Sequence, residues 1–426
     1  MLIGKAFTDR LLTEDEARAV FAEGLAQLDL DGRRVLVIMP DSTRSGPFGL
    51  CFRALAEGML GRVAKLDILI ALGTHVAMDE ERICRHFGLT PQERAERYGE
   101  IGFLNHDFRS GLRTIGVIPA SEIEALSGGL MSEELPVQIN ARLYDYDQII
   151  ICGPVFPHEI VGFSGGNKYF FPGVSGPEVI DLTHWLGAVI SNRSIIGRQD
   201  TPVRKVLDRA AALIERPKAC FSLVVKGHDD LAGLFFGTPE ESQAAAAEIS
   251  ALVNIRWVER PYHTVISVMP ELYDDIWTAG KGMYKLEPVV ADGGTVIIYA
   301  PHIDEVSYTH GALLDRIGYH VRDYFLAHMD RYQSVSRGVM AHATHVKGAG
   351  TYVNGVEEPR VQVVLATGVP RERCERINLG YLDPEGLLLS EWVDREEEGI
   401  LVVPRAGEML YRLAGERESG QGDCCC

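Results

Sequence analysis

The chain has 426 residues, 46% hydrophobic and 24% charged. That balance builds a globular core, and the length calls for more than one domain. Asp and Glu total 60 against 42 Lys and Arg, a net charge of -18, which argues against nucleic acid or an anionic membrane surface as the main partner, because both bind basic surfaces. No apolar run approaches the ~20 residues of a membrane span, and Met1–Arg10 lacks a secretion-signal pattern. A cytoplasmic protein is expected. Cys51, Cys84, Cys152, Cys220 and Cys374 stand apart in apolar or helical surroundings and read as core thiols of a reducing compartment.

The predicted elements alternate. Thr13-Glu14-Asp15-Glu16 is a capping box that opens a helix to about Leu28. Arg34 to Met39 is a short apolar run of the kind found in buried parallel strands. A helix pattern follows from Gly46 to Met59, a strand from Leu66 to Leu72, and a helix from Met78 to Phe87 with Asp79, Glu80 and Glu81 in its first turn. Ile101–Leu104, Gln148–Cys152 and Phe221–Val225 read as strands. Ser175–Trp185, Thr201–Glu215 and Glu240–Leu252 read as helices. A second block begins near His263, with strands at Thr264–Val268, Thr295–Tyr299, Val361–Ala366 and Ile400–Val403, and helices at Asp274–Ala291 and Ala312–Asp330. The expectation is two α/β domains with mostly parallel sheets, spanning 1–260 and 261–415, and an active site in the cleft between them. The polar run from Glu416, ending in Cys424-Cys425-Cys426, is expected to be a disordered tail over 416–426.

In open α/β sheets ligands gather beyond the C-terminal ends of the strands, and four loaded segments fall there. Asp41-Ser42-Thr43-Arg44 lies between a strand and a helix, where hydroxyls and free N–H groups suit an anion and an Arg grips a carboxylate with two bonds. Taken alone, the segment reads better as a capped turn with a surface Arg. Gly73-Thr74-His75 places an imidazole, the natural general base near neutrality, at a strand end. Pro157-His158 leads into Gly162-Phe163-Ser164-Gly165-Gly166-Asn167-Lys168. Its glycines allow close backbone approach to a ligand, and its Lys, in an apolar run, suits a nucleophile or a covalent anchor. His184 follows sixteen residues later, and imidazole suits nickel, copper or zinc. Ala279-Gly280-Lys281-Gly282 offers a second Lys. His106 is expected behind the site. His302, His310, His320, His328, His342 and His345 are scattered and read as structural.

Taken together, in order and spacing, these segments resemble the nickel-dependent lactate racemase family, whose members racemise or epimerise 2-hydroxy acids. The resemblance implies that Lys168 carries a nickel pincer nucleotide through a thioamide and that His184 is the protein's nickel ligand. It implies His75 and His158 as the two acid/base groups, and Arg44 and Lys281 as carboxylate anchors. Asp41, Thr43, Gly165 and Gly166 would position the cofactor. It also implies proteins that make and load the cofactor. Three positions depart from the family pattern: Asn167 where Arg is common, Ile160 where an aromatic is common, and Thr278 where Gln is expected. Ile160 and Thr278 are substrate-pocket positions by that resemblance, so lactate, malate and a sugar acid all stay open. The rivals are a hydrolase or lyase with a Schiff-base Lys168 and no nickel, and a non-catalytic cofactor-binding protein.

Overall fold

A computed structural model describes residues 1–419. The three terminal cysteines lie outside them. The chain divides into two compact units. The first comprises residues 1–156, 161–183 and 199–253; the second takes residues 157–160, 184–198 and the chain from 254 onward. The division is therefore not a single cut near residue 260. Two short segments, bearing His158 and His184, leave the first block of sequence to join the second unit.

The first unit is built on a seven-stranded sheet ordered Ile3–Ala6, Asp230–Gly237, Lys218–Lys226, Gln148–Pro154, Arg34–Pro40, Lys65–Ala71, Gly102–Asn105. The last five are mutually parallel. Asp230–Gly237 runs antiparallel to both of its neighbours. Val35 through Met39 are fully buried, which is why that strand is apolar without alternation: both sheet faces are covered by helices. From Arg34–Pro40 the chain winds outward to Gly102–Asn105. It then returns to lay Gln148–Pro154 on the other side of Arg34–Pro40. That reversal is the topological switch point, where a crevice opens beyond the C-terminal strand ends.

The second unit carries a five-stranded, all-parallel sheet ordered Gly380–Tyr381, Gln362–Thr367, Val290–Ala300, Tyr262–Val268, Ile400–Val403. Its switch point falls between Tyr262–Val268 and Ile400–Val403. No helix among the described residues is long and apolar enough to cross a membrane.

Several elements differ from expectation. The expected helix 274–291 is broken into Ile276–Ala279, Lys281–Tyr284 and a 3-10 turn at Glu287–Val289. Gly280 and Pro288 interrupt it. The expected helix 312–330 stops at Ile317 and resumes at Arg322, because Gly318 adopts φ +71°. Residues Gly415–Ser419 form a short helix, and Glu416 ion-pairs with Arg412 at 3.0 Å, so the start of the expected tail is ordered. The helix Arg337–Lys347 escaped the sequence reading. Every residue from Gly338 to Lys347 is buried, so it has no solvent-exposed face and its polar residues do not fall into a separate stripe that would reveal its period. The antiparallel strand pair Leu112–Ile118 with Leu135–Asn140 also escaped; its register slips near Gly116.

Candidate functional site

At the switch point of the first unit, Asp41 and His75 leave adjacent parallel strands and meet. His75 Nδ1 lies 2.6 Å from Asp41 Oδ2. Thr43 donates its hydroxyl to Asp41 Oδ1 at 2.7 Å and its backbone N–H at 3.2 Å. Arg44 Nη1 donates to Thr43 Oγ1 at 2.9 Å. Burial pushes the Asp41 carboxyl up. The His75 charge and hydrogen bond, then Arg44 and Thr43, outweigh it and hold Asp41 well below the carboxylate range. Asp41 is 4% exposed and ionised. A carboxylate on Nδ1 fixes the proton there and leaves Nε2 as the basic nitrogen, the arrangement of a positioned general base. The resemblance gave Asp41 and Thr43 to the cofactor; the fold brings both against His75. Arg82, not singled out from the sequence, donates to Ser42 Oγ at 2.7 Å.

The Lys168 loop sits beside this dyad. Lys168 O accepts from Gly173 N at 3.2 Å, and Gly173 O accepts from Gly73 N at 3.0 Å. Two backbone bonds thus tie the lysine segment to the turn that carries His75. The loop is fastened from below. Arg204, buried on the helix Pro202–Ala211, donates to Gly165 O at 3.3 Å and to Phe163 O. Asn167 donates to Asp208 Oδ1 at 2.9 Å and Glu240 Oε1 at 2.6 Å. The position that departs from the family pattern is therefore an internal clamp. Gly165 and Gly166 take φ +84° and +57°. A Cβ on Gly166 would lie 2.7 Å from Pro239 O and 2.8 Å from Gln243 Cβ, and one on Gly165 would overlap Val155. These glycines are demanded by the protein's own packing. Lys168 itself is half-buried. Replacing Arg204 by Ala strips a buried cation from those carbonyls and from its neighbours Asp208 and Glu240. The expected cost is about 3–5 kcal/mol, read as a lower urea midpoint.

In the second unit, His158 faces two partners through one nitrogen. Its Nδ1 accepts from Ile160 N–H at 3.1 Å and lies 3.3 Å from Glu159 Oε2. A neutral ring with its proton on Nε2 uses the first contact; a ring protonated at Nδ1 uses the second. His184 is half-buried on the helix Pro177–Ile190. Lys281 Nζ lies 4.4 Å above the Tyr273 ring, on the chain leaving Tyr262–Val268 at that sheet's switch point. A Cβ on Gly280 would come within 2.7 Å of Val346 Cγ2, so this glycine beside Lys281 also answers to packing. Thr278 is buried, and Asp275 accepts from its N–H at 2.9 Å. Ile160 is buried with its Cγ2 3.2 Å from where a Gly187 Cβ would stand. Both positions are occupied by local structure.

His106 is saturated: Nε2 donates to Ser175 O at 3.0 Å and Nδ1 accepts from Asn140 Nδ2 at 3.1 Å. Burial holds it down at about 4, as it does His86 and His345. His342 is stacked on Trp277 at 3.9 Å. An unfolded imidazole titrates near ~6.5 and these three near 4, so protons bind the unfolded chain first. The stability that depends on their neutrality is complete above pH ~6.5 and is lost toward pH 4, by up to about 1.4 kcal/mol per pH unit for each. Melting temperature recorded from pH 7 to 4 should fall throughout that window. A flat profile would contradict the buried neutral histidines.

Residues 17–197 match the family described as lactate racemase N-terminal domain. The chain carries a domain of the lactate racemase family. It is 25% identical over 287 residues to a lactate racemase of Thermoanaerobacterium thermosaccharolyticum, covering 64% of this chain and 61% of that one. It is 24% identical over 285 residues to a lactate racemase of Lactiplantibacillus plantarum, covering 66% and 62%. The chain thus spans less than two thirds of these curated relatives. A Thermotoga maritima protein solved by a structural genomics consortium is 32% identical, with a TM-score of 0.87, over 94% of this chain and 98% of that one. The T. thermosaccharolyticum lactate racemase apoprotein superposes with a TM-score of 0.69 at 19% identity, over 93% and 92%, which shows the shared α/β fold. In this lactate racemase domain fall Asp41, Thr43, Arg44, His75, His158, Lys168 and His184.

Proposed function

We propose that the chain is a cytoplasmic racemase or epimerase of a 2-hydroxy acid, working with a nickel pincer nucleotide held at Lys168. The observation that carries the reading is the Asp41–His75 pair, 2.6 Å apart, tied through Gly73 and Gly173 to the loop that presents Lys168. The donor set fits the cofactor. Among the described residues no group of three or more His, Cys, Asp or Glu is arranged to hold a metal by itself. A nickel at His184 would therefore take its other donors from a ligand, as a pincer supplies them. The chemistry that group brings when bound is reversible acceptance of the hydride from the hydroxyl-bearing carbon.

The chain's own residues handle the proton and the geometry. His75, with Nδ1 committed to Asp41, takes the hydroxyl proton on Nε2. His158 serves the other enantiomer. The contact to Glu159 prepares its Nε2 to accept, and the contact to Ile160 N–H leaves Nε2 protonated and ready to donate. Inversion run in both directions needs such a pair. Arg44 and Lys281 supply positive charge for the substrate carboxylate. Loading the cofactor calls for the proteins that make it.

The test is intact-protein mass spectrometry with nickel analysis on chain co-expressed with those proteins. A mass increment at Lys168 with about one nickel per chain bears the reading out. An unmodified Lys168 without nickel, where a known lactate racemase loads normally, overturns it.

A further inference from the structure

Tyr169 follows Lys168 in the 3-10 turn Gly166–Tyr169. Its ring folds back onto the strand Gln148–Pro154. A Cβ on Gly153 would overlap the Tyr169 hydroxyl and ring carbon Cζ, and would lie 2.8 Å from Cε2. Position 153 is glycine because a phenol rests on it. The strand Arg34–Pro40 pairs in parallel with Gln148–Pro154 and delivers Asp41 as its next residue. The tip of the phenol therefore sits at the C-terminal strand ends of the first unit, where its switch-point crevice opens.

This hydroxyl is nearly buried but not sealed. Tyr169 is 9% exposed. Among the described residues its hydroxyl makes no hydrogen bond, and it is not one of the polar atoms closed off from solvent. A buried Tyr normally finds a partner for its O–H. Here the phenol keeps its apolar body in the core and turns an unspent polar end to the crevice. Burial pushes it well above its usual range, against the pull of Arg44, so near neutrality it is a protonated donor. The Asp41 carboxylate is engaged elsewhere, by Thr43 at Oδ1 and by His75 at Oδ2.

Charge says what the donor is for. Of the charged side chains around the phenol, the half-buried Arg44 acts on it most strongly, and Asp41 acts less. A guanidinium and a neutral O–H donor close together suit an anion. A carboxylate takes the positive charge and accepts the phenol proton in one contact. An uncharged amide or alcohol gains much less from the same donors, because a hydrogen bond to an ionised group is the stronger one. Phenylalanine would pack on Gly153 as well, so packing does not call for the hydroxyl. We propose that Tyr169 is a further substrate-binding residue, whose hydroxyl donates to the carboxylate held by Arg44 and helps the site select an ionised acid over its uncharged analogue. This rests on the racemase reading above.

The experiment is saturation-transfer NMR with titration on the full chain, co-expressed with the cofactor-making proteins, wild type against Tyr169→Phe. The probes are glycolate and its amide, glycolamide. Glycolate is the smallest 2-hydroxy acid, so a pocket shaped for any longer tail still admits it. Tyr169→Phe removes only a hydroxyl that bonds nothing in the protein and keeps the ring on Gly153, so it should fold; a melting curve checks this. Glycolate should bind the wild type, and bind Tyr169→Phe about 10-fold more weakly. Glycolamide should bind weakly at best, with no difference between the two proteins. Equal glycolate affinity in both proteins overturns the proposal, and so does no glycolate binding to the wild type. Equal weakening of both probes puts the hydroxyl at the alcohol end of the ligand and overturns the carboxylate contact. The mass of Lys168 in the same samples separates the two readings. Tyr169-dependent glycolate binding with Lys168 unmodified removes the racemase reading and keeps the site; modified Lys168 with glycolate binding that ignores Tyr169 removes only the role of Tyr169.

Discussion

Lys168→Ala, co-expressed with the cofactor-making proteins, should show no mass increment and should lose racemisation by at least about 10^4-fold. The loop should survive the change. Its shape is set by Arg204 on the Gly165 and Phe163 carbonyls, by Asn167 on Asp208 and Glu240, and by backbone bonds that use only the Lys168 main chain. A melting curve on the variant checks that the loop has kept its shape. Lys168→Arg sharpens the result. It keeps the charge but gives no thioamide, so it should be as inactive as the alanine variant if attachment is what matters. Activity retained in Lys168→Arg would show that the residue acts only as a cation.

Asp41→Asn should lower kcat by about 10^2- to 10^4-fold with little change in KM. The amide keeps the volume at a position that is 4% exposed. It takes away the charge that holds the His75 proton on Nδ1 across 2.6 Å and lets the ring present the wrong nitrogen. A melting curve separates this from structural damage. Asp41 lies well below the carboxylate range because of His75, Arg44 and Thr43, so its contribution to stability is present above pH ~4 and is lost as the pH falls through its folded pKa. An unchanged kcat in a folded Asp41→Asn would remove Asp41 from the role of positioning His75.

Much of the architecture was legible because the physics behind it is local. Arg34–Pro40, Lys65–Ala71 and Gln148–Pro154 are continuous apolar runs, and only strands covered on both faces tolerate that pattern. Alternation of such runs with capped helices identified two mostly parallel sheets. The strand ends then drew attention to Asp41, Arg44 and His75. The glycines before Lys168 marked a loop with unusual backbone, as φ +84° and +57° at Gly165 and Gly166 bear out. What they make room for is Val155, Gln243 and Pro239, which no local pattern predicts. The unbroken helix expected over 274–291 failed for a similar reason: Gly280 answers to Val346, far along the chain.

The sequence by itself determined the fold class and the set of candidate side chains. Each of these depends on residues within a turn or two of one another. Only the tertiary structure decided which of those side chains meet. Asp41 and His75 are 34 residues apart and become partners because their strands pair in register, Pro40 against Ala71. Residues 157–160 and 184–198 join the second unit, and the buried helix Arg337–Lys347 brings Thr344 and His345 beside Asn192. Such encounters are set by strand register and by packing across the core, between positions whose separation along the chain carries no information about their separation in space.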